Sequence, residues 1–170
     1  SKTMGPWDYN ANKDKINEVL GNRVKENCAY ENVYTLALRG LHDAAMGGGD
    51  VPMKEKVKML ENALKDQRSL LTRHIDKPAE TIPQAFTPYK EVLEIYSNGL
   101  ELPDDVTIIW ADDNFGYMKR LSGPQEQKRT GRAGVYYHIS YLGVPHSYLW
   151  FSTTPPALMY EELRKAYDTT

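Results

Sequence analysis

The protein has 170 residues, of which 41% are hydrophobic and 26% charged, and 21 Lys and Arg against 23 Asp and Glu give a formal net charge of −2. This composition is typical of a globular protein, and it excludes a disordered or collagen-like chain and the strongly basic balance of many nucleic-acid-binding proteins. The single cysteine, Cys28, excludes an internal disulfide framework and a multi-cysteine zinc site, and no apolar run approaches the roughly 20 residues that span a bilayer. Residues 1–6 do not have the pattern of a signal peptide.

The hydrophobic pattern predicts alternating helices and strands. In chain order it predicts a helix at about 12–28, a strand at 32–38, a glycine connector at 47–49, a helix at 53–74, a strand at 81–86, a helix at 89–97, a strand at 106–110, a polar loop at 122–132, a strand at 134–140 and a helix at 157–166. Asn10 or Asn12 is the expected N-cap of the first helix, and Asp50 is the expected N-cap of the second.

This alternation predicts an α/β protein with a parallel sheet, and two closures of that sheet are open. The first is part of a (β/α)8 TIM barrel, in which 170 residues would be roughly half to two-thirds of the usual length of about 250. The second is an open, doubly wound sheet of the flavodoxin type.

Polar side chains lie at the ends of the predicted strands. The four sets are Arg39 and Asp43, then Tyr89 and Glu91, then Asp112, Asp113 and Asn114, and finally Tyr136 and His138. Because the carboxyl ends of parallel strands share one edge, we expect these sets to converge on one rim. Each set also has a plainer explanation. Asp112 or Asp113 could cap a following helix, Arg39 and Asp43 could form a structural ion pair, and His138 could be a hydrogen-bonded core histidine.

The residue types at this rim suit a carbohydrate that bears a carboxylate. Carboxyl groups supply the acid and the base of a glycosidase, and Arg39 is suited to bidentate binding of an anionic group. Asp112, Asp113 and Asn114 could instead hold a magnesium ion. No nucleophile elbow, phosphate-binding loop or His-Glu-x-x-His pattern occurs in the sequence.

Two elements at this rim resemble glycoside hydrolase family 115, the xylan α-1,2-glucuronidases. One is Trp-Ala-Asp-Asp-Asn-Phe-Gly at 110–116, at the end of the strand that begins near Val106, and the other is Gly-Val-Tyr-Tyr-His at 134–138. Upstream, Arg-Gly-x-x-Asp-x-x-Met at 39–46 and Tyr-Lys-Glu-Val at 89–92 resemble two further motifs of the family, in the same order. The resemblance runs from about Trp7 to Ala166.

The resemblance implies that residues 1–170 are a single segment of a (β/α)8 catalytic domain in a larger multidomain protein. It implies removal of glucuronic acid or its 4-O-methyl ether, α-1,2-linked to xylose in glucuronoxylan, with inversion of configuration. Asp43 and Glu91 match the family's proposed catalytic carboxylates, and which of them is the acid is left open. The predicted substrate-binding residues are Arg39, Tyr89, Asp113, Asn114, Tyr136 and His138. No metal or cofactor is expected.

Two other functions are weighed against this one. A non-catalytic carbohydrate-binding module would use exposed aromatic side chains, for which the candidates are Trp110, Tyr117, Tyr136, Tyr148 and Trp150. A metal-dependent hydrolase would use Asp112 and Asp113.

For a family 115 enzyme we expect glucuronoxylan or its oligosaccharides as partner, no nucleic acid, no membrane span, and a secreted or periplasmic parent protein. The isolated chain is expected to be inactive, and its unpaired strand edges predict either self-association or a rearranged sheet.

Overall fold

The computed structural model of the protein describes residues 7–41, 44–46, 51–139, 143 and 152–169. The helices and strands, numbered here in chain order, are α1 (Tyr9–Asn27), β1 (Tyr34–Thr35), α2 (Met53–Ile75), β2 (Gln84–Phe86), α3 (Glu91–Ser97), β3 (Thr107–Ala111), β4 (Ala133–Tyr136) and α4 (Pro156–Asp168). Short 3-10 turns lie at Ala79–Thr81 and Glu126–Lys128. Within these ranges, no helix is both long enough and apolar enough to cross a membrane.

The four strands form one parallel sheet in the order β1-β2-β3-β4. Each strand therefore pairs with the next strand of the chain, as in a (β/α) barrel. A flavodoxin-like sheet instead reverses direction and has the order 2-1-3-4-5. The observed order confirms the α/β prediction and favours an arc of a TIM-barrel-like sheet over the open alternative.

The core lies between this sheet and the helices that cover it. Phe86 and Ile108 from the sheet, Val106 just before β3, and Leu60 and Ile95 from the helices are completely buried. The long helix α2 repeats apolar residues at helical spacing, and its bounds agree with the prediction to within one residue. The apolar spacing that predicts this helix is therefore the spacing that buries it.

The helix caps differ from the sequence prediction. The side chain of Asp8, not of Asn10 or Asn12, caps α1 by accepting bonds from the backbone N–H groups of Asn10 and Ala11, at 2.9 and 3.1 Å. Asn12 has non-helical dihedrals and marks a kink in α1. Pro52 is the N-cap of α2, with no side-chain capping bond. The expected cap Asp50 and the glycine connector at 47–49 lie outside the described residues.

The strands are shorter than predicted because side chains and turns take over their backbone bonds. The Leu36 N–H still donates to the Ala85 carbonyl at 2.8 Å, but Ala37 leaves the sheet. Both backbone groups of Ala37 bond instead to the side-chain amide of Gln67 on α2, at 3.0 and 2.6 Å. Before β2, Thr81, the first residue of the predicted strand, belongs instead to the 3-10 turn Ala79–Thr81. Strand β4 ends at Tyr136, and Ser140, the last residue of its predicted range, lies outside the described residues.

The connection from β3 to β4 contains no α-helix, in agreement with the predicted polar loop. Arg120 anchors it by pairing with Glu126 at 2.6 Å and by lying over the rings of Tyr96 and Trp110, with its guanidinium carbon 5.1 and 5.0 Å from their centroids. Glu126 also accepts a bond from the Tyr96 hydroxyl at 2.9 Å, and burial together with this bond raises the pKa of Tyr96 to about 12. The loop is thereby fixed to α3.

A polar cluster holds the opposite, amino-terminal end of the sheet. Arg68 on α2 donates two bonds to Asp105, at 2.7 and 3.0 Å, and one to the buried side chain of Gln84, at 3.0 Å. These residues satisfy one another where β2 and β3 begin. The predicted site residues lie at the opposite, carboxyl edge of the sheet.

Candidate active site

The ends of β1 and β2 meet through an ion pair. Arg39 donates from Nε and Nη2 to the two carboxylate oxygens of Glu91, at 3.0 and 2.8 Å. The two side chains are 22% and 19% exposed, so the pair lies at the surface of the site and not in the core. The indole N–H of Trp7 fixes the backbone of Arg39 by donating to its carbonyl at 2.7 Å. The sequence predicts both members of this pair as site residues, but it predicts Asp43 as the alternative partner of Arg39.

The turn into α3 directs two side chains into the site. Lys90, between Tyr89 and Glu91, has φ 50° and ψ −125°, a conformation that non-glycine residues rarely adopt. Tyr89 lies with its ring centroid 6.0 Å from the guanidinium carbon of Arg39. The strained residue thus lies between two predicted site residues that both contact Arg39.

Aromatic side chains join the β2 end to the β4 end. The ring of Tyr89 lies 6.5 Å from that of Tyr136, nearly perpendicular to it, and 6.3 Å from that of His138. Tyr136 and His138 make an edge contact at 4.7 Å. The structure therefore brings Arg39, Glu91, Tyr89, Tyr136 and His138 together on one rim.

Asp112 is buried beneath this rim and bonds to His138. One carboxylate oxygen contacts Nδ1 of the imidazole, and the other accepts a bond from the backbone N–H of His138 at 3.3 Å. The sequence offers Asp112 as a helix cap or a magnesium ligand. The cap prediction is wrong because the residues that follow form a loop and not a helix. The signal that could have found the pair is the placement of Asp112 and His138 directly after neighbouring parallel strands.

Asp113 and Asn114 shape the loop that follows β3. One oxygen of Asp113 accepts bonds from the backbone N–H groups of Phe115 and Tyr117, at 2.9 and 3.1 Å. Asn114 has φ 67°, which asparagine tolerates better than most residues, and its carbonyl accepts a bond from Gly143 at 2.6 Å. Both residues line a cleft of about 300 Å³ together with Tyr89. Their predicted contact with substrate stays a prediction.

Tyr137, next to His138, closes the same loop. Its hydroxyl donates to the Gly116 carbonyl at 2.8 Å. Burial, and then the negative charges of Asp112, Glu162 and Asp113, raises the pKa of this hydroxyl. Tyr137 therefore remains a protonated hydrogen-bond donor that supports the loop.

Some residues that the sequence offers as candidates lie elsewhere or outside the described residues. Asp43, predicted to be catalytic, and the neighbouring His42 lie outside the described residues, as do Tyr148 and Trp150. Trp110 is wrong as an exposed sugar platform because it is 1% exposed and its indole donates to Ser122 at 2.9 Å. Tyr117 and Tyr136 are exposed, as a binding module requires. No group of three or more His, Cys, Asp or Glu within the described ranges could hold a metal ion.

The fold and the site together define a class of protein. Parallel strands in chain order, with arginine, carboxylate, tyrosine and histidine side chains at their carboxyl edge, match the arrangement expected of part of a (β/α)-barrel domain. The family model described as glycosyl hydrolase family 115 matches residues 1–170. The chain belongs to glycosyl hydrolase family 115.

A solved structure supports this assignment at the level of the whole chain. It is described as a novel family GH115 4-O-methyl-alpha-glucuronidase, BtGH115A, with specificity for decorated arabinogalactans. It is similar to this chain with 44% sequence identity and a TM-score of 0.90. The similarity covers 97% of this chain, and this chain spans 22% of that protein. Comparison with curated proteins gives no match.

Proposed function

We propose that this chain carries part of the active site of an α-glucuronidase, which releases glucuronic acid or its 4-O-methyl ether from a decorated polysaccharide. The observation that carries the proposal is the Arg39–Glu91 pair beside Tyr89, at the carboxyl edge of the sheet in a chain of family 115. The similar 4-O-methyl-α-glucuronidase structure supports it.

Arg39 is the proposed receptor for the carboxylate of the uronic acid. Its guanidinium already receives a carboxylate in bidentate geometry, that of Glu91. A uronate presents the same planar pair of oxygens, so it competes with Glu91 for the same donors. When the uronate carboxylate replaces Glu91 on Arg39, the sugar would be bound and the Glu91 carboxylate would be free to take part in the reaction.

Asp43 and Glu91 are the proposed acid and base of an inverting hydrolysis. One of them donates a proton to the glycosidic oxygen as the bond from that oxygen to the anomeric carbon breaks. The other accepts a proton from the water whose oxygen forms the new bond to the anomeric carbon. The hydroxyls of the sugar would form hydrogen bonds with Tyr89, Asp113, Asn114, Tyr136 and His138.

Two polysaccharides are candidates for the glycan that carries the uronic acid. Glucuronoxylan, with α-1,2-linked uronic acid on xylose, is the substrate predicted from the sequence resemblance. Decorated arabinogalactan is the second candidate, and the specificity stated for the 44% identical structure favours it. Either glycan is extracellular, which supports a secreted or periplasmic protein.

We also propose that the 170 residues act within a larger catalytic domain. The similar structure supports this, because the chain spans 22% of that protein. The chain by itself is therefore expected to be inactive, since a partial barrel has an incomplete site.

The test of the proposal is uronic acid release by the complete protein, measured on glucuronoxylan and on decorated arabinogalactan in parallel. We expect release from at least one glycan, with loss of release in Asp43→Asn. Product analysis by NMR is expected to show the β-anomer first, as inversion at an α-linkage requires. Glycan binding without release from either polysaccharide would contradict the proposal and favour a binding module.

A further inference from the structure

The Asp112–His138 pair joins the carboxyl ends of two neighbouring strands in a nearly water-free position. The side chain of Asp112 is 0% exposed and that of His138 is 6% exposed. The backbone N–H of Asp112 also donates to the Tyr136 carbonyl at 3.2 Å, which extends the β3–β4 pairing by one residue. The strand register therefore sets the pair directly beneath the rim that carries Tyr89 and Tyr136.

The contact geometry restricts the imidazole in two ways. Because an ionised carboxylate can only accept hydrogen bonds, its contact with Nδ1 requires a proton on that nitrogen. The second oxygen of Asp112 bonds to the main chain of the same histidine, which fixes the carboxylate relative to the backbone that carries the ring. One side chain thus sets both the tautomer and the orientation of His138.

The burial of this pair also needs an explanation beyond stability. A carboxylate buried beside an imidazole is often no more stabilising than well-packed apolar residues of the same volume, because the buried polar groups lose hydration. The ring that Asp112 holds makes contacts with Tyr89 and Tyr136, at centroid distances of 6.3 and 4.7 Å. Tyr89 and Tyr136 are two of the residues that are proposed to bind the sugar hydroxyls.

We propose that Asp112 is a positioning residue of the uronic acid site, which holds His138 as the Nδ1–H tautomer with its ring fixed against Tyr89 and Tyr136. This inference rests on the proposed function for the meaning of the site. The pair itself, however, can be tested without any turnover. Asp112 acts through His138 and needs no contact with the substrate.

The first experiment reads the pair directly by NMR of the imidazole nitrogens in the complete protein, with the His138 signals assigned by their loss in His138→Gln. We expect a protonated Nδ1 in the unmodified protein, and loss of its strongly hydrogen-bonded proton signal in Asp112→Asn. Asp105→Asn is the matched control, because Asp105 lies at the other end of the same strand segment and bonds to Arg68. A bare Nδ1 in the unmodified protein would overturn the proposal without any variant, even if Asp112→Asn fails to fold.

The second experiment is a double-mutant cycle on uronic acid release by the complete protein. We expect a loss in kcat/KM of about 10- to 100-fold for Asp112→Asn, the range seen when a carboxylate that orients a metal-bound histidine is removed. Adding Asp112→Asn to His138→Gln is expected to cost little more than His138→Gln alone. Fully multiplicative losses would overturn the positioning role. An intact NMR signature in a protein that releases no uronic acid would count against the proposed function and not against the pair.

Discussion

Arg39 joins the ends of two strands through a single side chain, and it is the residue on which the proposed specificity depends. The sequence predicts it as an anion-binding residue, because arginine after a strand is suited to a carboxylate. The sequence could not select Glu91 as its partner in the folded chain, since the two are 52 positions apart. Only the parallel pairing of β1 with β2 brings them together.

Arg39→Lys is expected to raise the KM for the uronic acid substrate. Lysine keeps the positive charge but loses the two-pronged geometry, and one charge-assisted hydrogen bond is worth about 1.5–3 kcal/mol, which corresponds to roughly 10- to 100-fold in affinity. Steady-state kinetics of the complete protein would measure this change. Arg23→Lys, on the exposed face of α1, is the matched control and should leave KM unchanged. An unchanged KM in Arg39→Lys would show that the uronate binds elsewhere.

At the residue scale, the sequence also predicts His138 as a site residue, but it offers Asp112 only as a helix cap or a magnesium ligand and not as the partner of His138. His138 is found at the rim, but it is buried and held by Asp112. A short motif can mark such a residue, because its type and position after a strand are written in the sequence. The partner depends on how β3 and β4 are registered, and no local pattern encodes that register.

The sequence predicts the bounds of helix α2 more accurately than those of strand β1. The 23 residues of α2 carry a sustained apolar repeat, and its predicted and observed bounds nearly coincide. Strand β1 has only two residues, because Gln67 on α2 supplies the hydrogen bonds that would otherwise extend the ladder at Ala37. A strand that ends on a distant side chain leaves no local signal of its end.

Helix α4 is fixed to the β3–β4 loop by the carboxylate of Glu162. This buried group accepts a bond from the Met118 N–H at 2.9 Å and one from Lys165 at 2.7 Å. Burial acts to raise the pKa of Glu162, but these two bonds outweigh it and hold the pKa below its ordinary value of 4.5. The loop that carries Asp113 and Asn114 therefore depends on an ionised group in α4.

Glu162→Gln is expected to lower the free energy of unfolding at neutral pH by about 1–2 kcal/mol, because it removes charge from two hydrogen bonds. Since the folded pKa is lower than the unfolded one, the stabilisation is present above the ordinary pKa of 4.5 and is lost as the pH falls through the folded value. Denaturant unfolding of both forms across this range would measure it. The two unfolding free energies should converge in acid, and a constant difference at every pH would contradict this account.

At the scale of the whole molecule, the sheet of the described residues has four strands, with β1 and β4 at its two edges. Within the described residues, β1 pairs only with β2 and β4 pairs only with β3. The sequence predicts the parallel sheet because helices and strands alternate, but alternation alone leaves both the barrel and the doubly wound closure open. The strand order decides between them, and strand order is a property of long-range packing.

The open edges predict that the 170-residue chain self-associates in solution. In the part of the chain that the structure describes, β1 and β4 are the two edge strands, so backbone N–H and C=O groups on their outer sides are able to pair with another copy. Sedimentation velocity over a range of concentrations should show species heavier than the 19.4 kDa monomer, increasing with concentration. A single monomeric species at all concentrations would contradict this expectation.

The central claim is that a carboxylate at the carboxyl edge of this sheet carries out hydrolysis, and comparison of two glutamates on one helix tests it most directly. Glu91 opens α3 at the rim, whereas Glu94 lies one turn further on and is exposed. The measurement is the rate of uronic acid release by the complete protein from whichever polysaccharide it accepts. We expect a loss of about 10²- to 10⁴-fold in Glu91→Gln and an unchanged rate in Glu94→Gln. Undiminished release by Glu91→Gln would contradict it.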